Sequence, residues 1–193
     1  MRPRRCDRLA SQMRIALPGP LVLVTGITFV ALNTLLIFGP LFFLAVLKLL
    51  IPVRSFRDAC SRALAWMAET WTALNSRMID VLTDTRFEVE GVEGLRRDAT
   101  YMVVSNHQSW VDIPVLQKVL GGRIPLLRFF LKRQLIWMPL LGFAWWALDF
   151  PFMKRFSREK IRRHPELAGK ELETTRRACE KYRRIPVSVM NFL

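Results

Sequence analysis

The chain has 193 residues, 51% of them hydrophobic, and its 30 lysines and arginines against 16 acidic residues give a net charge of +14. This length allows one ordinary domain, or a smaller domain with a membrane segment. The charge predicts a polyanionic partner, and the hydrophobicity favours an anionic lipid surface over nucleic acid. The three cysteines, Cys6, Cys60 and Cys179, are widely spaced, which fits a reducing compartment and forms no zinc-binding pattern.

A basic tail occupies residues 1–18, and an uncharged run follows over residues 20–47. The run is longer than the ~20 residues with which a helix crosses a bilayer. It is also longer than the roughly 7–15 residues of a signal-peptide core. Residues 19–52 are therefore predicted to be a retained membrane segment, and a buried core helix is the less favoured alternative.

The topology of this membrane segment depends on its interruption and on its flanks. Gly39-Pro40 lies inside the run, where proline kinks or ends a helix. Basic residues lie on both sides of the run, and the positive-inside rule would keep both flanks cytoplasmic. We therefore expect a broken helical pair that enters one leaflet, with a tilted single span as the alternative.

Residues 53–84 show apolar positions at helical spacing, with Phe56, Trp66 and Trp71 separated by basic residues. This pattern predicts an amphipathic helix. It fits equally well a helix at the membrane interface and a helix packed on a soluble domain.

Residues 85–193 alternate between short strands and helices. Strands are predicted over residues 86–95, 101–105, 126–132, 149–155 and 186–193. Helices are predicted over residues 114–120, 134–148 and 165–184. The alternation predicts an α/β fold, with a mixed, largely parallel sheet flanked by helices, after the N-terminal membrane-embedded helices.

The stretch VVSNHQSWVDIP, residues 103–114, carries the candidate chemistry. His107 and Asp112 are five residues apart, so their side chains can meet only if the chain turns between them. A strand that ends at Ser105 and runs into a helix provides such a turn. Asp112 would then fix the tautomer of His107, whose other ring nitrogen could take a proton from a hydroxyl. The alternative is a structural pair, with Ser109 and Asp112 capping a helix.

No nucleophile elbow of the G-x-S-x-G type accompanies this pair, so the hydroxyl is expected to come from a substrate. No second histidine or cysteine stands at ligand spacing, and we therefore expect no metal. The segment NHQSWVD resembles the N-H-x-x-x-x-D motif of glycerolipid acyltransferases of the bacterial 1-acyl-glycerol-3-phosphate acyltransferase type. Residues 132–155 resemble that family's segment ending in a second, arginine-containing motif, and residues 186–193 its next strand.

The resemblance implies a role for each site residue. His107 would be the general base and Asp112 its orienting partner. Arg155, helped by Lys154, would contact the phosphate of the acceptor; the alternative for Arg155 is a solvated residue in a basic run. Asn106 would fix the loop, or serve only as a turn residue.

The same resemblance implies transfer of a fatty acyl group from acyl-CoA or acyl-carrier protein to a lysophospholipid, expected to be lysophosphatidic acid, with no cofactor. It places the protein at the cytoplasmic face of a bacterial inner membrane, in contact with phospholipids and not with nucleic acid. The printed chain stops before the family's third motif, Glu-Gly-Thr-Arg, so the C-terminal part of the domain is expected to be missing. A non-enzymatic basic protein that binds anionic lipid and a lipid hydrolase are the alternatives.

Overall fold

The computed structural model describes residues 18–153, 158–165 and 186–192, with isolated positions at 173, 176, 180 and 182. Two long helices come first, α1 (Gly19–Leu50) and α2 (Arg54–Leu82). The remaining described elements, in chain order, are β1 (Tyr101–Ser105), α3 (Asp112–Leu120), β2 (Leu127–Phe129), β3 (Leu131–Lys132), a 3₁₀ helix (Arg133–Trp137), α4 (Leu141–Ala147), β4 (Phe152–Met153), α5 (Arg158–Arg163) and β5 (Ser188–Phe192).

Helix α1 is continuous over 32 residues, with Pro40 inside it. The expected break at Gly39-Pro40 was therefore wrong. Proline removes the hydrogen bond that its own N–H would donate four residues back, and its ring crowds the carbonyl of that residue. Before the proline, α1 is held against α2: Gly26 lies beside Met78, and the Asn33 side chain donates a 2.9 Å hydrogen bond to Asn75. After the proline, Lys48 forms a 2.7 Å ion pair with Asp149. Tertiary contacts thus hold the helix on both sides of Pro40.

Helix α2 packs against both α1 and the α/β part of the protein, as the packed alternative predicts; its contact with a membrane interface stays a prediction. On one side, the Trp71 indole donates a 3.1 Å hydrogen bond to Thr34 of α1. On the other, Asp80 forms a 2.6 Å ion pair with Lys118 of α3. Leu64 is fully buried at the centre of the core shared by α1, α2 and the sheet.

The predicted α/β fold is present, and all described strand pairings are parallel. Strand β5 lies between β1 and β2, with Ser105 opposite Phe192 and Phe129 opposite Met190. The single strand predicted over residues 126–132 is instead two strands, because the chain leaves this sheet after Phe129 and β3 pairs with β4. The carboxyl ends of β1, β2 and β5 therefore share one edge, where ligand-handling loops of parallel sheets lie.

Two predicted elements need comment. Residues 86–95 form no strand, contrary to the prediction, because this segment joins no ladder with the described strands. It is held by side-chain contact instead, with the Lys118 ammonium 5.3 Å from the centre of the Phe87 ring. The predicted helix over residues 165–184 lies largely outside the described residues, as do the basic tail up to residue 17 and the end of the strand predicted over residues 149–155.

Candidate active site

The loop between β1 and α3 brings His107 and Asp112 together. The Nδ1 atom of His107 lies 3.0 Å from Oδ2 of Asp112. The same carboxylate oxygen accepts backbone N–H groups from Gln108 at 2.7 Å and Ser109 at 2.9 Å. The predicted strand-to-helix turn and the predicted contact between the two side chains are therefore confirmed as geometry.

The hydrogen bonds to Asp112 also decide its ionisation. The backbone N–H groups of Ser109 and Gln108 lower the pKa of this carboxyl below its ordinary value, and His107 adds a smaller effect in the same direction. Asp112 is therefore an anion near neutral pH. An anion at Nδ1 fixes the proton of a neutral imidazole there, which leaves Nε2 as the acceptor.

The structure also tests the alternative that Ser109 and Asp112 only cap a helix. Asp112 is the first residue of α3, and the N–H groups that it accepts belong to residues before the helix. No side chain caps the helix, and the Ser109 hydroxyl accepts a 3.2 Å bond from Val111 within the loop. The Asp112 carboxylate therefore shapes the loop around His107 and does not serve as a cap of its own helix.

One face of the histidine ring lies against an aromatic stack. The ring of Phe192, in β5, lies 4.2 Å from the His107 ring centre at an interplanar angle of 27°. Phe129, in β2, stacks on Phe192 in turn at 5.9 Å. Sequence reasoning missed Phe192, because its only signal was a place near the end of a predicted strand, and that does not reveal which side chain lies above it.

His107 remains accessible despite these contacts. Its side chain is 43% exposed. Within the part of the chain that the structure describes, Nε2 has no hydrogen-bond partner, so this nitrogen is open to an incoming hydroxyl. The arrangement can accept a proton at Nε2 and stabilise the resulting imidazolium against the Asp112 anion.

The other predicted site residues are placed less completely. Asn106 is exposed and adjoins His107 in the loop. Lys154 and Arg155 lie outside the described residues, so their predicted contact with a phosphate stays a prediction. Among the described residues, no group of three or more histidine, cysteine or acidic side chains could hold a metal ion.

An apolar cavity of about 200 Å³ lies beneath this site. Phe129 belongs both to its wall and to the stack under His107, and Ile113, the neighbour of Asp112, lines it as well. The far wall is formed by α1, through Phe38 and Leu41. The cavity therefore lies between α1 and residues that adjoin the His–Asp pair, although the pair itself does not line it.

Fold and site together define an α/β protein with a His–Asp pair in the loop at the carboxyl end of a parallel strand. Residues 86–185, more than half of the chain, match the family model described as Acyltransferase. The chain belongs to the acyltransferase family, and the resemblance seen in its motifs is confirmed.

Curated relatives bear the name 1-acyl-sn-glycerol-3-phosphate acyltransferase alpha. The human and bovine proteins are each 37% identical over 78 residues, which cover 40% of this chain and 26% of the relative. The ovine protein is 36% identical over the same length and the same shares. The matched segment thus spans about a quarter of each of these relatives. No solved structure matches the chain.

Proposed function

We propose that this protein transfers a fatty acyl group from an acyl thioester, either acyl-CoA or acyl-carrier protein, to the free hydroxyl of lysophosphatidic acid. The observation that carries the proposal is the His107–Asp112 contact at the open end of β1, with Nε2 unpartnered among the described residues. Acyl transfer to a hydroxyl requires a base that takes the hydroxyl proton as the oxygen attacks the thioester carbonyl. In this proposal His107 takes that proton and Asp112 stabilises the protonated ring. The carbon–sulfur bond then breaks, and the departing thiolate takes the proton from His107.

The apolar cavity supports a lipid substrate over a small polar one. Its wall is almost wholly apolar side chains, and it includes Ile113, the neighbour of Asp112, and Phe38 and Leu41 of α1. A hydrocarbon chain placed there would leave water, which is the main source of favourable free energy for binding apolar groups. In this proposal the fatty acyl chain of the substrate occupies this cavity.

The acceptor's phosphate is assigned by charge and by similarity. The relatives named above are 1-acyl-sn-glycerol-3-phosphate acyltransferases, and the net charge of +14 favours an anionic substrate. In this proposal Arg155 binds phosphate oxygens through its planar guanidinium and Lys154 adds a second cation. Asn106 holds the loop beside His107.

The proposed location is the cytoplasmic face of a bacterial inner membrane, in contact with its phospholipids. Among the described residues, α1 is the one helix that is long and apolar enough to cross a bilayer. Both halves of α1 contact the rest of the protein. Gly26 lies beside Met78 and Leu82 of α2, and Lys48 forms a 2.7 Å ion pair with Asp149. In this proposal both flanks of α1 stay on the cytoplasmic side, because basic residues stand on both sides of the uncharged run.

The decisive experiment measures phosphatidic acid formed by the full-length protein in vesicles from lysophosphatidic acid and a labelled acyl-CoA or acyl-carrier protein. His107→Ala should abolish product, since general-base catalysis contributes about 10²–10⁴-fold. His164→Ala is the matched control, because His164 is the chain's other histidine and does not belong to the β1–α3 loop. Full activity of His107→Ala would overturn the proposed role.

Two further arms separate the alternatives. A lipid hydrolase would release free fatty acid without an acceptor, whereas the proposed transferase needs lysophosphatidic acid.

A molar salt wash without detergent should leave the protein on the membrane. Salt already screens charge attraction beyond about 8–10 Å at physiological ionic strength, and molar salt screens it more strongly. Salt does not weaken the contact of an apolar helix with lipid. Release by salt alone would contradict the membrane assignment of α1.

A further inference from the structure

An apolar ridge projects from the surface between the 3₁₀ helix and α4. Trp137 is 86% exposed and Trp146 is 43% exposed, and nearby in sequence Ile136, Met138 and Leu140 each have more than a third of their surface exposed. We define these five residues as the aromatic ridge. A contiguous set of exposed large apolar side chains marks a surface that meets another apolar phase.

The ridge is continuous with the exposed side of α1. Trp146 lies 5.6 Å from Phe143, and Phe143 in turn lies 5.0 Å from Phe42 of α1, measured between ring centres. Phe42 is itself 47% exposed, and its neighbour Phe43 is 64% exposed. A surface that covers α1 would therefore reach the ridge without interruption.

The aromatic ridge is held in place by close backbone packing. A Cβ atom at Gly142 would lie 2.2 Å from the carbonyl oxygen of Ile136, so the 3₁₀ helix packs directly on the α4 backbone. Leu140 has a φ of 61°, a conformation that residues with side chains rarely adopt. The Leu140 side chain lines the apolar cavity, which links this conformation to the body of the protein.

The chemistry of the ridge identifies a bilayer as its partner. Tryptophan is favoured where the hydrocarbon of a membrane meets the headgroups. Lys132 and Arg133 are exposed at the start of the same segment, where they can meet anionic phosphates. We propose that residues 132–146 are a second membrane-contacting element, which places Trp137 and Trp146 in the headgroup region of an anionic bilayer beside α1. The inference rests on the membrane location proposed for α1.

This contact gives the cavity its orientation toward lipid. Leu140 belongs to both the ridge and the cavity wall, and Phe38 of α1 lines the same wall. With the ridge and α1 both in lipid, the cavity wall borders the bilayer from which an acyl-chain substrate would come.

The test uses the full-length protein with its three cysteines replaced (Cys6→Ser, Cys60→Ala and Cys179→Ser) and one new cysteine labelled with an environment-sensitive nitrobenzoxadiazole dye. The labelled variants are Trp137→Cys on the ridge, Leu35→Cys on the exposed side of α1 and Asp98→Cys before the amino end of β1. Each is reconstituted in vesicles of phosphatidylcholine and phosphatidylglycerol with and without nitroxide-labelled lipid. We expect a blue shift and strong quenching at position 137, similar quenching at position 35, and neither effect at position 98.

Each alternative outcome has a distinct meaning. Quenching at position 35 without quenching at position 137 would overturn the ridge proposal and leave the membrane location of α1 intact. No quenching at either position would remove the membrane location itself, and the ridge proposal with it. A blue shift at position 137 that depends on protein concentration in the absence of vesicles would assign the ridge to contact between copies of the chain, and would also overturn the proposal.

Discussion

Replacement of Asp112 by asparagine tests the site most directly, because it changes charge with little change in shape. The Oδ2 atom of Asp112 accepts three N–H groups, two from the loop backbone and one from His107. An asparagine oxygen can keep the two backbone bonds as a neutral acceptor, so the loop should retain its course. What is lost is the negative charge that stabilises protonated His107 while the hydroxyl attacks.

The expected fall in kcat follows from losing the charge of Asp112 while keeping its hydrogen bonds to the loop backbone. Positioned general-base catalysis contributes about 10²–10⁴-fold, and Asp112→Asn keeps the base while removing its anionic partner. The stack on Phe192 still holds one face of the imidazole ring. We therefore expect kcat to fall by about 100-fold, at the lower end of that range, with little change in KM. Asp112→Ala removes the one oxygen that accepts all three bonds and should lower both kcat and thermal stability, because the loop backbone also loses its bonds.

The assay is steady-state formation of phosphatidic acid in vesicles, with thermal unfolding of the same samples. Asp98→Asn is the matched control, since Asp98 is exposed and its carboxylate is paired with Arg96 in a surface turn. A kcat for Asp112→Asn within a few-fold of the unmodified protein, with unfolding unchanged, would refute the role of the Asp112 charge.

Four other outcomes are expected. Phe192→Leu should lower kcat by about 2–10-fold without changing KM, since an aromatic pair contributes roughly 0.5–1.5 kcal/mol beyond its buried area; an unchanged kcat would show that the stack does not position His107. Arg155→Ala should mainly raise the KM for lysophosphatidic acid and leave the KM for an acceptor without phosphate unchanged, because phosphate bonds act in ground and transition states alike. Leu64→Ala should lower the free energy of unfolding by about 2–5 kcal/mol, whereas Leu36→Ala, at a side chain 75% exposed, should have little effect in detergent; equal effects would contradict the assigned core. The pKa of Asp112 in the folded protein lies below its ordinary value. The ionised carboxylate therefore stabilises the fold above the ordinary pKa, and this stabilisation is lost as the pH falls through the folded pKa. The difference in free energy of unfolding between the unmodified protein and Asp112→Asn should shrink in acid, and a difference that grows in acid would contradict this direction.

Features governed by nearby residues were predictable from the sequence. The uncharged run predicted an apolar, helical N-terminal segment, and α1 covers it, although without the break expected at Gly39-Pro40. The β-branched residues before Ser105 and the glycine after Leu120 correctly predicted β1 and the end of α3. The turn predicted between β1 and α3 was expected to bring His107 and Asp112 together, and the Nδ1 and Oδ2 atoms of the two residues lie 3.0 Å apart. Each of these depends on backbone preferences and side-chain chemistry within a few positions of the chain.

Features that join distant segments were decided only by the tertiary structure. Residues 86–95 have the composition of a strand but form none, because a strand requires a partner, and no described strand pairs with this segment. Helix α1 continues through Pro40, since packing against α2 holds it before the proline and the Lys48–Asp149 ion pair holds it after. Phe192 reaches His107 only because β5 pairs beside β1, which brings together residues far apart along the chain. Local preferences fix each segment's conformation, whereas the packing of segments against one another fixes which side chains meet.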